Sequence, residues 1–303
     1  MAEKKLTKRQ KQMIIKGILT VVCLGILALL WFVIMPLFEE TYEVPEGTAQ
    51  FHFIDVGQGD ATLIMIGDKN ILVDTGERSA KDTLIDYLDE HDVETIEYFV
   101  ITHFDSDHFA NAVDVLEEYD VVNLVIPNQV KDTKTYESFI AKAEEQSEAG
   151  DIEIILANDI VGDEINVNEL ALTVLAPLKE KYDDSNDYSV VLMARYGNKR
   201  VLLTGDAEKD AESDIVAEYS ARDLDCDVYK MGHHGSRTSS SQALLDKMTP
   251  EYAIVSCGAG NDYGHPHSEA MDRVNGLEIY RTDTQGSIVL SIANDEISVV
   301  TEK

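Results

Sequence analysis

The stretch that decides the fold is Tyr98-Phe99-Val100-Ile101-Thr102-His103-Phe104-Asp105-Ser106-Asp107-His108. Residues 98–102 form an apolar, β-branched run of strand character, and helical periodicity takes over at residues 110–118. Between them stand four ligand-type side chains, His103, Asp105, Asp107 and His108. A strand end is rigid, so the loop leaving it can aim such side chains at one point above a sheet. Histidine with carboxylate suits Zn²⁺ or Mn²⁺, the carboxylates favouring the harder ion. Capping the helix would need one Asp, and this loop carries two Asp with two flanking histidines.

Other segments share the design. Leu203-Thr204-Gly205-Asp206-Ala207-Glu208 is an apolar strand ending in a turn, where Asp206 serves equally as a helix cap or a ligand. Lys230-Met231-Gly232-His233-His234-Gly235-Ser236 places ligands between glycines, which relieve crowding where backbone approaches a bound group. A third histidine pair lies in Tyr263-Gly264-His265-Pro266-His267, so six of the eight histidines fall in three short loops. Phe53-Ile54-Asp55-Val56-Gly57-Gln58-Gly59-Asp60 and Val73-Asp74-Thr75-Gly76 bring further carboxylates to strand ends. Asp55, Asp60 and Asp74 read as groups that orient ligands from beneath, or as acceptors for loop amides.

From residue 49 onward short apolar runs alternate with helical patterns, without a fixed-period repeat. Hairpin-like and strand-helix units are mixed, which excludes a simple doubly wound parallel sheet. The pattern predicts one α/β domain over residues 49–303, with two mixed sheets enclosed between helices.

The charge is unevenly distributed. The chain has 303 residues, 25 Lys and Arg against 57 Asp and Glu, and a net charge of −32. Six bases and one acid lie in the first 38 residues, leaving 19 bases and 56 acids, or −37, for the remainder. All six bases precede an uncharged apolar run, residues 17–38, which as a helix spans about 33 Å, enough for a hydrocarbon core. It exceeds a usual signal-peptide core and no A-x-A site follows, so a retained signal anchor is expected. The expected order is a basic cytoplasmic tail (1–16), a transmembrane anchor (17–38), a linker (39–48) and an extracellular domain. Three cysteines exclude a disulfide scaffold; Cys226 and Cys257 read as buried thiols, with pairing as the alternative.

Taken together, F-x-D-V-G-Q-G-D at 53–60, H-x-D-x-D-H at 103–108, T-G-D-A-E at 204–208 and H-H-G-S at 233–236 resemble the metallo-β-lactamase superfamily. The likeness is greatest to the metallohydrolase domain of ComEC-type DNA-uptake proteins, and extends through Tyr263-Gly264-His265-Pro266-His267 and Thr284-Gln285-Gly286. The resemblance implies a four-layer αββα sandwich with two divalent ions, Zn or Mn, at one edge. It implies His103 and Asp105 as ligands of one metal, Asp107 and His108 of the other, and Asp206 as a bridge. His234 would complete the second metal, leaving His233 to contact substrate. Asp105 stands where the superfamily more often has His, and no His between Asp107 and Asp206 offers a third ligand to the first metal. ComEC-type proteins also carry a many-helix channel, whereas this chain has one candidate membrane helix.

The expected reaction is extracellular metal-dependent hydrolysis of a phosphodiester. Asp107 would hold or deprotonate the attacking water, while His233, Ser236 or His265 would stabilise charge or assist the leaving group. A polyanion approaching residues 39–303, at −37, is repelled within a Debye length of about 8 Å. A small molecule or surface-polymer substituent therefore fits better than DNA, although bound cations reverse the local potential. A ComEC-like nuclease and a non-catalytic binding module on the same fold are the alternatives. No protein partner is implied.

Overall fold

The computed structural model describes residues 16–18, 20–22, 24–25 and 42–303. The chain divides into two compact units, Met1–Tyr42 and Glu43–Lys303. In the first, the described residues 16–18, 20–22 and 24–25 are helical, with Ile18, Val21, Val22 and Leu24 exposed. Most of the expected membrane anchor, residues 17–38, lies outside the described residues. Among those described, no helix is long and apolar enough to cross a membrane.

The second unit contains two mixed sheets. One comprises β1 (Thr48–Phe53), β2 (Thr62–Ile66), β3 (Lys69–Val73), β4 (Thr95–Val100), β5 (Asp120–Ile126), β6 (Glu153–Leu156), β14 (Ile288–Ala293) and β15 (Glu296–Thr301), in the order β15-β14-β1-β2-β3-β4-β5-β6. The other comprises β7 (Glu164–Val167), β8 (Leu170–Ala176), β9 (Val191–Tyr196), β10 (Lys199–Leu203), β11 (Val228–Lys230), β12 (Tyr252–Val255) and β13 (Glu278–Arg281), in the order β13-β12-β11-β10-β9-β8-β7. Hairpins make β1–β2–β3 and β7–β8–β9–β10 antiparallel. Helical crossovers make β3–β4–β5–β6 and β10–β11–β12–β13 parallel.

Alternating side chains assign the layers. Phe51, Phe53, Ile64 and Ile71 of the first sheet share one core with Leu172, Val174, Leu192 and Val201 of the second. Met193, Leu202, Tyr229 and Ala253 point the other way, into a core with Ile215, Leu244 and Ala270 from helices. Beside the first sheet, Leu84 and Leu88 of helix Lys81–Glu90 and Phe139 and Ala143 of helix Lys134–Ala149 are buried. Thr133 Oγ1 caps the latter helix by accepting from Tyr136 N at 3.2 Å, and Gly150 ends it in the left-handed region at φ 82°. The expected mixed two-sheet sandwich is present.

Local boundaries differ where propensity is weak. Residues 164–167 form β7 without a strong apolar run, because pairing with β8 supplies the ladder. Thr284 and Gln285 belong to a helical turn, Thr282–Gln285, that Gly286 closes at φ 70°. Cys226 and Cys257 are both free and buried, so no disulfide links them.

Candidate metal centre

The site is assembled at the carboxyl ends of the parallel strands, where loops leave both sheets together. Asp74 follows β3, His103 to His108 follow β4, and Lys131 comes after β5. From the second sheet, Asp206 follows β10, His233 and His234 follow β11, and Tyr263 and His265 come after β12. Six loops remote in sequence thus converge because each continues a parallel strand.

Among the described residues, Asp60, His108, Asp206 and His234 offer ligand atoms within 4.8 Å of one another, all four being buried. His108 Nε2 lies 3.2 Å from Asp206 Oδ1, and His234 Nε2 lies 3.4 Å from Asp206 Oδ2. The His108–Asp206 pair is close in distance, yet neither atom makes a well-directed hydrogen bond. His103 Nε2 and Asp60 Oδ1 are likewise buried without a hydrogen-bond partner. Unsatisfied polar atoms in a protein interior are costly, each by roughly 1–3 kcal/mol. Imidazole nitrogens and carboxylate oxygens left open at one point are the donor set of a divalent cation, so the residues present fit one.

Each histidine is oriented from behind. His108 Nδ1 donates to Asp74 Oδ2 at 2.7 Å, and Asp74 also accepts from Thr102 N at 2.8 Å and Thr102 Oγ1 at 2.7 Å. His234 Nδ1 donates to the Ser256 carbonyl at 3.0 Å, leaving Nε2 facing Asp206. His233 and His234 both lie in the left-handed region, at φ 49° and 53°, a conformation costing about 1–2 kcal/mol per non-glycine residue. Such strain persists where surrounding structure enforces it, often at functional sites.

The electrostatics answer to crowded buried charge. Burial works against a charge on His108, but Asp206 and Asp74 outweigh it and raise its pKa. The same opposition, with Asp206 and Asp107 as partners, raises His234 to about 10. His103, chiefly desolvated and facing His108, is pushed down to about 3. Burial opposes ionisation of Asp206 and Asp107, yet the neighbouring histidines hold both below the usual carboxylate range. Burial instead raises Asp74, against the pull of His108.

The remaining expected residues fall in three groups. Asp107 Oδ2 accepts from His234 Nε2 at 3.2 Å, and His103 Nε2 lies 3.9 Å from Asp105 Oδ2. Asp105 Oδ1 is held by Lys131 Nζ at 2.5 Å and Ser185 Oγ at 2.6 Å. His233 turns Nδ1 to Glu208 Oε1 at 2.7 Å, its Nε2 standing 3.7 Å from Asp206 Oδ2. His265 closes the mouth, its ring centroid 5.3 Å from His233 and 6.0 Å from His234. Two residues point elsewhere. Ser236 Oγ pairs with Thr238 Oγ1 at 2.8 Å, and Asp55 accepts from Gly57 N at 3.3 Å and faces Lys303. Asp55 serves its own loop because Gly57 and Gly59 turn the chain before Asp60 reaches the cluster. A Cβ on Gly59, at φ 156°, would collide with the Asp107 carbonyl oxygen.

Several contributors carried no local signal. Lys131 and Gln129 follow β5, and Gln129 joins Phe104 N at 2.8 Å to Ser185 Oγ at 2.9 Å. Ser189 Oγ accepts from Asp206 N at 3.0 Å. Lys230, only 3% exposed, pairs with Asp60 beneath the cluster. A lysine ending an apolar strand in an acidic domain was the available clue. Asp105, Asp107, Asp206, His234, Tyr263 and His265 line a polar cavity of about 120 Å³.

The family model described as the Metallo-beta-lactamase superfamily matches residues 54–259. ComE operon protein 3 of Bacillus subtilis (strain 168) is 28% identical over 267 residues, covering 82% of this chain and 33% of that protein. Competence protein ComA of Neisseria gonorrhoeae is 30% identical over 251 residues, covering 81% of this chain and 32% of that protein. The chain thus spans about a third of the length of these curated relatives. Among solved structures, the CmlA beta-hydroxylase E377D mutant superposes with a TM-score of 0.50 at 13% identity, covering 82% of this chain and 54% of that one. At that identity the likeness is one of fold.

Proposed function

Because the chain belongs to the metallo-β-lactamase superfamily, we propose that it is a membrane-anchored, extracellular, metal-dependent phosphodiesterase. The observation carrying this reading is the buried set of open donor atoms on His103, His108 and Asp206 beside His234. His108, Asp206 and His234 would hold one divalent ion, with Asp107 at its edge. His103 and Asp105 extend the set toward a second ion, Zn or Mn. When bound, such ions supply Lewis acidity, acidifying water and polarising a phosphoryl oxygen.

The chain's own residues supply the rest. Asp107, 27% exposed and held ionised, accepts a hydrogen bond from water entering the cavity and orients it. His233, backed by Glu208, faces the same space and stabilises negative charge on the phosphoryl group. His265 stands at the mouth, where a leaving group departs. Asp74 and the Ser256 carbonyl fix His108 and His234 and thereby the geometry of the whole set.

Six bases before the apolar run at 17–38, and the exposed Ile18, Val21, Val22 and Leu24 on its helical residues, support an anchor with the catalytic domain outside. The charge of −37 on residues 39–303 favours a small or weakly charged diester over a long polyanion. The relatives named for competence favour a second reading, a nuclease acting on DNA at the cell surface.

Full-length protein in detergent, analysed for metal and assayed on bis(p-nitrophenyl) phosphate beside His108→Ala and Asp206→Ala, tests the reading. Metal-dependent turnover lost in both variants is expected. Tight metal binding without turnover on any ester would leave a binding module instead. A single-stranded DNA rate far above that of the small diester would favour the nuclease.

A further inference from the structure

Lys131 reaches the metal site from the turn after β5 and seats its ammonium on Asp105, the carboxylate expected to share an ion with His103. Its Nζ donates to Asp105 Oδ1 at 2.5 Å and also to Ser185 Oγ, which donates to the same Asp105 oxygen at 2.6 Å. One oxygen of Asp105 is thus committed to an ammonium and a hydroxyl. The other, Oδ2, lies 3.9 Å from His103 Nε2, a buried nitrogen without a hydrogen-bond partner.

The seat for the ammonium is built by the loops around it. Gln129, 6% exposed, donates from Nε2 to Ser185 Oγ at 2.9 Å and to the Ser185 carbonyl at 3.1 Å, and its Oε1 accepts from Phe104 N at 2.8 Å. Tyr136 Oη donates to the Gln129 carbonyl at 3.2 Å, and its ring meets that of Phe104 edge-on with centroids 4.9 Å apart. Phe104 lies between His103 and Asp105 in the chain, so one network fixes the ligand loop, Ser185 and the Lys131 turn together. An isolated ion pair at 24% and 34% side-chain exposure would contribute little. Here Ser185 also holds the carboxylate, so less side-chain freedom is lost when the ammonium pairs with it.

The two sides of the site are consequently unequal. Ligand atoms of Asp60, His108, Asp206 and His234 lie within 4.8 Å of one another, and neither His103 nor Asp105 belongs to that group. An ion on His103 and Asp105 would have to take the carboxylate from a cation already seated on it, or lie beside that cation. Like charges a few Å apart repel, and more strongly where water is partly excluded.

We propose that Lys131 is a tethered cation at the His103–Asp105 position, so that the protein holds one divalent ion tightly, at His108, Asp206 and His234, and admits a second only in competition with the lysine. The proposal deepens the metal-dependent reading above and rests on it for the tight ion. Lys131 is a positioning residue that acts through Asp105. The ion it opposes binds about 10–100-fold more weakly than it would without the lysine.

The test is a Mn²⁺ titration of the full-length protein in detergent, Lys131→Met and Lys131→Arg, read by equilibrium dialysis with metal analysis and by electron paramagnetic resonance. Wild type and Lys131→Arg take up one ion well before the second, and at one equivalent show the spectrum of an isolated Mn²⁺. In Lys131→Met the second ion binds about 10–100-fold more tightly and the spectrum of a coupled pair appears at lower Mn²⁺. Should Lys131→Met not fold, Lys131→Gln, which keeps a donor to Asp105 without the charge, carries the same comparison. Two ions of equal affinity in wild type, or a second ion indifferent to the charge at residue 131, overturns the proposal and leaves the hydrolase reading intact. Unequal ions whose gap closes in Lys131→Met, without turnover of any ester, uphold the proposal and overturn the hydrolase reading. Absence of bound Mn²⁺ from wild type and variants alike overturns both.

Discussion

His108 Nδ1 donates to Asp74 Oδ2 at 2.7 Å, and both side chains are sealed from solvent. This bond decides which nitrogen of His108 faces Asp206, and so which atom is offered to a cation. Asp74 has φ 60°, a conformation that asparagine tolerates better than most residues.

Asp74→Asn therefore keeps the backbone and its acceptor toward Thr102 while weakening the hold on His108. Metal affinity, measured by competition with a chelator, is expected to fall by about 10–100-fold. Retained wild-type affinity would show that His108 is oriented by other means.

Lys230 and Asp60 form an ion pair with both side chains about 4% exposed. Removing one partner strands the other charge in the interior. Lys230→Met and Asp60→Asn are each expected to lower the stability by about 3–5 kcal/mol in urea unfolding. The double variant should lose less than the sum of the two. Strict additivity in that cycle would mean the pair is not coupled.

Glu212, 1% exposed, accepts from Ser240 N at 2.6 Å and Ser241 N at 2.8 Å. Burial raises its carboxyl to about 6 from 4.5, against the pull of those bonds. The folded state then holds this proton more tightly than the unfolded state. Its contribution to stability is present below about pH 4.5 and is lost as pH rises through about 6, a change of about 2 kcal/mol. Urea midpoints between pH 4 and 7 should show this decline, and Glu212→Gln should flatten it. An equal slope in the variant would place the titration elsewhere.

Stripping metal with a chelator is expected to lower the melting temperature, because the carboxylates of Asp206 and Asp107 and the open nitrogens of His103 and His108 lose their shared partner. At a free metal concentration of about 100 Kd the linkage is worth about 2.7 kcal/mol. His234→Ala should abolish most of this shift. A melting temperature indifferent to metal in the wild type would exclude a tightly held ion.

Much of the architecture was legible because its signals are local. Residues 98–102 announce a strand by composition, and the ligand-rich loop at 103–108 announces a site by spacing. The unbroken apolar run of β2 and the nearly continuous burial of β9 mark strands covered on both faces. The elements that escaped, β7 and the turn at Thr282–Gln285, are held by their neighbours more than by their own propensities. Local pattern carries no information about partners supplied from another part of the chain.

The site divides along the same line. Sequence alone determined the superfamily, the ligand types and the loops that carry His103 to His108, Asp206 and His234, because each motif is a short run at the end of an apolar strand. Only the tertiary structure decided which side chains meet. It drew Asp60 into the buried group with His108, Asp206 and His234, turned Asp55 to Gly57 and Lys303, and left Ser236 facing its own loop. It brought Lys131, 26 residues away, onto Asp105, and Lys230, 170 residues away, onto Asp60. The physical reason is that parallel pairing in two packed sheets delivers distant strand ends to one edge. There, buried charge must find a counter-charge wherever the fold supplies one.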